Sequence, residues 1–216
     1  MFKMFRVFSE QQITDIKQVI ENLDWQDGKE TAKGAAKDKK DNFQILQSTP
    51  GFEKLMPYII EAHRAAAVRN YTYVKEIVDP RVASYKNGGQ YDWHVDVALL
   101  AQKRTDLSFS IFLNGKDDYQ GGEMEIELPG TKIKVKGNTG EMIVYPSGLL
   151  HKVNPVSSGE RLVIVGWLTS HVKFQEQRER LHDMLIEIIR IREKLGANEV
   201  ENLNRLYHQF VRDFSN

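Results

Sequence analysis

The chain contains no cysteine. That absence removes disulfide frameworks, thiolate zinc sites, cysteine-ligated iron–sulfur clusters and cysteine nucleophiles together. Any metal must then be held by His, Asp or Glu. An excess of one charge is also missing. Thirty Lys and Arg offset thirty Asp and Glu for a formal net charge of zero, so no global field draws the chain to nucleic acid or anionic lipid. Long apolar runs are lacking too. The longest, Leu162 to Leu168, is far short of the ~20 residues that span a bilayer. Met1 to Phe8 is interrupted by Lys3 and Arg6 and does not read as a signal peptide, which makes the cytoplasm the expected location. There is no internal repeat and no low-complexity tract. What is present is 216 residues, 41% of them hydrophobic, enough for one globular domain with a substantial core.

Ser9 followed by Gln12 is a capping-box pattern, and Ile13, Ile16, Val19, Ile20 and Leu23 recur behind it at helical spacing. Residues 27 to 42 turn to Gly, Ala, Lys and Asp with almost no large apolar side chain; they predict a mobile loop, a candidate lid over a substrate. A second helix is predicted from Glu53 to Asn70, with Met56, Ile59, Ile60, His63 and Ala67 along one face and Pro57 in its first turn. Between Val74 and Thr169 short segments rich in Val, Ile, Tyr and Phe alternate with Gly and Pro turns, the pattern of a β-sandwich or barrel. Glu123 to Leu128 and Thr131 to Lys136 form a hairpin through Pro129-Gly130; Arg81 to Tyr85 and Leu107 to Leu113 are further strands. Beyond Thr169 two helical stripes follow, one ending at Gly196 and the other running from Leu203 to Phe214. The division expected is a helical support and loop at 1–73, a β core at 74–170 and packed helices at 171–216.

His94 and Asp96 are two apart on a predicted strand, and a period of two puts both side chains on one face. His151 opens a later strand after the turn Pro146-Ser147-Gly148, where a closed sandwich can set it opposite the first pair. Two imidazoles and one carboxylate on one face of a metal leave its other positions open, the arrangement of non-haem Fe(II) and O₂ chemistry. Arg161 enters the apolar run that starts at Leu162. A guanidinium there needs a carboxylate partner, which a metal-chelating dicarboxylate co-substrate can provide to the planar fork, as can an Asp or Glu of the protein.

His94-x-Asp96, His151 and Arg161 resemble the pattern of the Fe(II)/2-oxoglutarate dioxygenases of the prolyl 4-hydroxylase-like branch, and more narrowly the bacterial PKHD-type hydroxylases. The similarity extends over Trp25-Gln26-Asp27-Gly28, Arg104-Thr105-Asp106-Leu107-Ser108, Asp117-Asp118-Tyr119, Gly121-Gly122-Glu123, Tyr145-Pro146-Ser147 and Tyr207-His208-Gln209, essentially the whole chain. The resemblance implies an α+β fold, a double-stranded β-helix or jelly roll flanked by N-terminal and C-terminal helices. It also implies His94, Asp96 and His151 as iron ligands, Arg161 on the distal carboxylate of 2-oxoglutarate, Tyr85 as a co-substrate hydrogen-bond partner, and L-ascorbate as the reductant. The implied partners are O₂, 2-oxoglutarate and an acceptor, a prolyl or lysyl residue of a peptide or protein or a small molecule. Neither nucleic acid nor membrane is expected as a partner, and a homodimer through the C-terminal helices is an open expectation. Asp92, Trp93 and Val97 depart from the residues that family carries beside the metal, and Phe112 stands where some prolyl hydroxylases have a second tyrosine.

Two other functions use the same residues. A jelly roll can bind a sugar or peptide without chemistry, with Arg161 in an ordinary ion pair. Alternatively the triad can hold zinc and activate water, with Asp92, two residues from His94, as the general base. His63, His171, His182 and His208 fall outside the triad and read as packing or surface residues, and Trp167 reads as core.

Overall fold

The computed structural model describes residues 2–31 and 39–215. The first strand, β1 (Lys3–Arg6), leads into α1 (Glu10–Ile20), where Ser9 and Gln12 close the expected capping box and Ile13, Ile16 and Ile20 are buried. Short strands β2 (Gln26–Asp27), β3 (Lys40–Asp41) and β4 (Phe43–Ile45) follow. The expected lid is therefore tied down at both ends, with Lys40 and Asn42 buried rather than solvated, because backbone pairing of Lys40 with Tyr91 carries the segment into a sheet. Residues 32–38 of that lid lie outside the described residues.

The single helix expected from Glu53 to Asn70 is two helices, α2 (Met56–Arg64) and α3 (Ala66–Thr72), after a short 3₁₀ turn at Phe52–Lys54. Ala65 breaks it with an extended backbone, φ −50° and ψ 131°. The break rotates the apolar face, so Ile59, Ala62, His63 and Val68 are buried while Ala67 is exposed.

The β region comprises β5 (Val74–Tyr85), β6 (Gln90–His94), β7 (Leu99–Leu100), β8 (Lys103–Arg104), β9 (Leu107–Phe112), β10 (Tyr119–Gly121), β11 (Met124–Leu128), β12 (Thr131–Val135), β13 (Glu141–Pro146), β14 (His151–Val153), β15 (Val156–Gly159) and β16 (Arg161–Ser170). A seven-stranded sheet in the order β1-β13-β9-β16-β5-β4-β2 faces a five-stranded sheet in the order β12-β11-β14-β6-β3. Pairing is antiparallel throughout, and the hairpin β11–β12 has the expected register, Leu128 opposite Thr131. This is the jelly-roll core with helices around it.

The larger sheet is covered on both faces, so its strands are apolar on alternate residues of both parities. Leu107, Phe109 and Ile111 of β9, Met142 and Val144 of β13, and Leu162, Ile164 and Leu168 of β16 pack toward α1, α2 and α3. Phe112, Ile143, Tyr145, Val163, Ala83 and Tyr85 point the other way, into the space between the sheets. Each fully buried Ile or Phe in these layers is worth roughly 1.5–3 kcal/mol over leaving it in water. Beyond the sheets, α4 (Gln175–Leu195) packs against α3 and α5 (Glu201–Phe214), and Leu181, Ile188, Val200 and Tyr207 form a separate small core with Val172. The C-terminal stripe is only partly covered, with Leu203, Leu206 and Phe210 exposed.

Candidate metal centre and the cavity around it

Register sets the site. In the smaller sheet β14 pairs with β6 so that His151 stands directly across from His94, and the two imidazole centroids are 4.2 Å apart. Asp96 is not on the strand, as its spacing from His94 suggested; β6 ends at His94 and Asp96 lies in the connection to β7. That connection is pinned by Thr105, whose hydroxyl donates to the Val97 carbonyl and whose N–H donates to Ala98 O at 3.2 Å. The carboxylate converges all the same, with Oδ1 3.8 Å from Nε2 of His94 and Oδ2 3.8 Å from Nε2 of His151.

Those separations are too long for hydrogen bonds and short enough for one cation to bridge. His94, Asp96 and His151 each turn one donor atom into a cluster spanning no more than 4.8 Å. Both rings are aimed from behind by backbone: Nδ1–H of His94 donates to Asp92 O at 2.7 Å, and Nδ1–H of His151 to Leu149 O at 2.9 Å. Donation through Nδ1 leaves each Nε2 unprotonated and able to ligate, that of His151 here accepting from the Tyr145 hydroxyl. Burial, and then the neighbouring His151, push the His94 pKa below that of an ordinary histidine, which keeps that imidazole neutral. Tyr91 stacks on the His94 ring at 3.6 Å. Behind the carboxylate, Ser108 donates to Asp96 Oδ2 at 2.6 Å and contacts Ser147 Oγ at 2.8 Å. A divalent cation that prefers imidazole and carboxylate fits this donor set.

The triad opens into a cavity of about 280 Å³ that is also lined by Tyr85, Tyr145 and Arg161. Arg161 is 1% exposed, and its guanidinium carbon lies 5.2 Å from the Tyr85 ring centroid and 5.5 Å from that of Phe112. Its Nε has no hydrogen-bond partner, and no ion pair holds it among the described residues. Tyr85 is directly across from it in the β5–β16 ladder, and burial raises the Tyr85 pKa so that the hydroxyl stays protonated. Tyr145 places its hydroxyl 3.2 Å from Nε2 of His151.

The model pattern of the 2OG-Fe(II) oxygenase superfamily matches residues 80–169. Over 217 residues the chain is 34% identical to a PKHD-type hydroxylase of Prochlorococcus marinus, covering 98% of both chains. The chain belongs to the PKHD-type hydroxylases. A second member, from a Psychrobacter species, is 38% identical over 184 residues, 82% of this chain and 71% of its own. Among solved structures, a prolyl-4-hydroxylase of Pseudomonas putida shares the fold with a TM-score of 0.56 at 16% identity, over 78% of this chain and 92% of that one. As a PKHD-type hydroxylase the chain is a 2-oxoglutarate-dependent dioxygenase, and iron and 2-oxoglutarate are its cofactor and co-substrate.

Two expectations about residues near the triad need correction. Asp92 does not share the His94 face: it is exposed, and its carboxylate accepts the N–H of Trp93 at 2.7 Å. The β6–β14 register shifts between His151 and Val153, so strict alternation fails there. Trp167 is half-buried rather than core and lines the same cavity, next to a shift of the β5–β16 register between Val165 and Trp167. Lys40, in the expected lid, also lines the cavity and is 5% exposed. The other histidines stay apart from the triad, with His63 buried against Phe109 at 4.5 Å and His182 packed on Tyr71 at 5.3 Å. Ser108, behind Asp96, carries a legible signal: with Ser110 it alternates inside a strand whose other residues are all apolar and which is buried on both faces.

Proposed function

We propose that this hydroxylase oxidises an unactivated C–H of a prolyl residue in a peptide or protein. In this reading His94, Asp96 and His151 hold ferrous iron while Arg161 and Tyr85 hold the distal end of 2-oxoglutarate. The observation that carries it is the buried Arg161 guanidinium, without a carboxylate among the described residues, facing the same cavity as three converging metal-ligand atoms. Bound iron and 2-oxoglutarate supply the O₂-dependent oxidation, whose net change is acceptor C–H, O₂ and 2-oxoglutarate to acceptor C–OH, succinate and CO₂.

The chain's own contributions are orientation and exclusion. Backbone carbonyls of Asp92 and Leu149 fix the two ring tautomers, and Ser108 fixes the carboxylate rotamer. Arg161 offers a bidentate fork to a carboxylate, and the Tyr85 hydroxyl donates beside it. Apolar walls from Met124, Val153 and Val165 keep water from the reacting carbon. A prolyl acceptor is favoured over a lysyl one because Lys40 and Arg81 line the cavity and oppose a second ammonium. Ascorbate as the reductant, a cytoplasmic location and self-association through the exposed face of α5 belong to the same proposal; no described helix is long and apolar enough to cross a membrane.

The zinc-hydrolase reading loses its general base with Asp92 turned outward, and a purely binding jelly roll leaves Arg161 unexplained. The test is succinate formation from 2-oxoglutarate with proline-containing peptides and cell extract, with mass spectrometry for a gain of one oxygen. Acceptor-stimulated succinate with matched oxygen gain supports the reading; hydrolysis of an ester or amide without 2-oxoglutarate contradicts it.

A further inference from the structure

Strand β5 turns Arg81, Ala83 and Tyr85 toward the space between the sheets. In the ladder with β16, Tyr85 is opposite Arg161 and Arg81 is opposite Val165. The two guanidiniums thus start from positions four residues apart on one face, roughly 13 Å at ~3.3 Å per residue. A 2-oxoglutarate anchored at Arg161 uses one end of the cavity. The Arg81 end is left for the acceptor.

That end is built from donors. Arg81 is 8% exposed; Nη2 is paired with Asp79, Nη1 donates to Gln44 Oε1 at 3.4 Å, and Nε is buried with no partner. Its guanidinium lies 5.1 Å from the ring centroid of Trp167, whose Nε1 is likewise buried without a partner. Lys40 brings an ammonium to the same cavity, 5.4 Å from the ring of Tyr91. Burial and then the Arg81 charge lower the Lys40 pKa to about 7, against the opposing pull of Asp96, Asp27 and Asp79. Arg81, Trp167 and Lys40 line one space, the first two with an N–H that has no partner, and an anionic acceptor group suits that lining, since a carboxylate presents two oxygens to N–H donors. At the mouth, Val95, Val97 and Leu99 are 50%, 54% and 64% exposed. That rim suits an apolar body next to the charged end.

We propose that the acceptor carries a carboxylate close to the carbon that is hydroxylated, held by Arg81 and Lys40 with the indole N–H of Trp167. This rests on the dioxygenase reading above and narrows its substrate class. The carboxylate belongs either to a free apolar acid or to an acidic side chain within a peptide.

The test is anaerobic calorimetry on the full ferrous protein with saturating 2-oxoglutarate, so that Arg161 is occupied. Two matched pairs separate the sources: N-acetyl-L-proline against its amide, and acetyl-Pro-Asp-amide against acetyl-Pro-Asn-amide. The acid of one pair is expected to bind at least about tenfold more tightly than its neutral partner. The pair showing the preference names the source. Lys40→Met, and the charge-neutral double variant Arg81→Gln with Asp79→Asn, are expected to reduce it below about threefold while 2-oxoglutarate affinity is unchanged within about twofold. Arg81→Lys, which keeps the charge and loses the fork, falls between. No preference in either pair, or a preference that survives both variants, overturns the proposal. The 2-oxoglutarate titration is run first: failure there overturns the dioxygenase reading, whereas normal 2-oxoglutarate binding with no acid preference overturns the carboxylate alone.

Discussion

The Ser108 hydroxyl donates to Oδ2 of Asp96 at 2.6 Å. A serine has one proton to give, so with that proton on the carboxylate the 2.8 Å contact to Ser147 must be a donation from Ser147. The chain Ser147, Ser108, Asp96 is directional, and it ends at the one carboxylate of the triad.

Ser108→Ala removes the donor without touching a ligand. Metal affinity is expected to fall by about 10-fold to 100-fold, read by anaerobic ferrous or cobalt titration. Ser108→Thr, which restores a hydroxyl, is expected to recover part of it; unchanged affinity in the alanine variant contradicts the role.

Arg161 gives a prediction about stability as well as binding. A ligand that binds only the folded state stabilises it by about 2.7 kcal/mol at a hundredfold excess over Kd. The ferrous wild-type protein is expected to gain that amount from 2-oxoglutarate, and Arg161→Met to gain almost none at the same concentration. Thermal or urea unfolding with and without 2-oxoglutarate measures it.

His63 contributes to the acid limb of stability. Its Nδ1–H donates to Ile59 O at 2.7 Å, and burial pushes its pKa down from 6.5 to about 4. Below pH 6.5 the unfolded chain takes up a proton that the folded chain refuses until about pH 4, so stability is full above 6.5 and declines as pH falls toward 4. The loss is about 3 kcal/mol. Urea unfolding between pH 7 and 4 is expected to show a shallower decline in His63→Leu than in wild type.

Local signals in the sequence predicted local structure well. The Ser9–Gln12 box, the Gly196 stop and the β11–β12 hairpin are short-range features whose chemistry is complete within a few residues. The break at Ala65 has no Gly or Pro to announce it, and no local preference opposes a helix through that alanine. The pairing of His94 with His151 across 56 intervening positions depends on the closure of the whole smaller sheet, which spacing alone does not specify. Arg81 shares a strand face with Tyr85, so its place was available from the period of two. Lys40 was not: a lysine in a Gly, Ala and Lys segment reads as solvated until the strand it forms with β6 is known.

The central claim is that His94, Asp96 and His151 bind ferrous iron in a form that chelates a keto acid. Its most direct test is visible absorption of the anaerobic protein titrated with Fe(II) and 2-oxoglutarate. A weak charge-transfer band is expected in the wild type and should be lost in His94→Ala while circular dichroism shows that variant folded. A folded wild type that develops no band, or a band of equal intensity in His94→Ala, contradicts the claim.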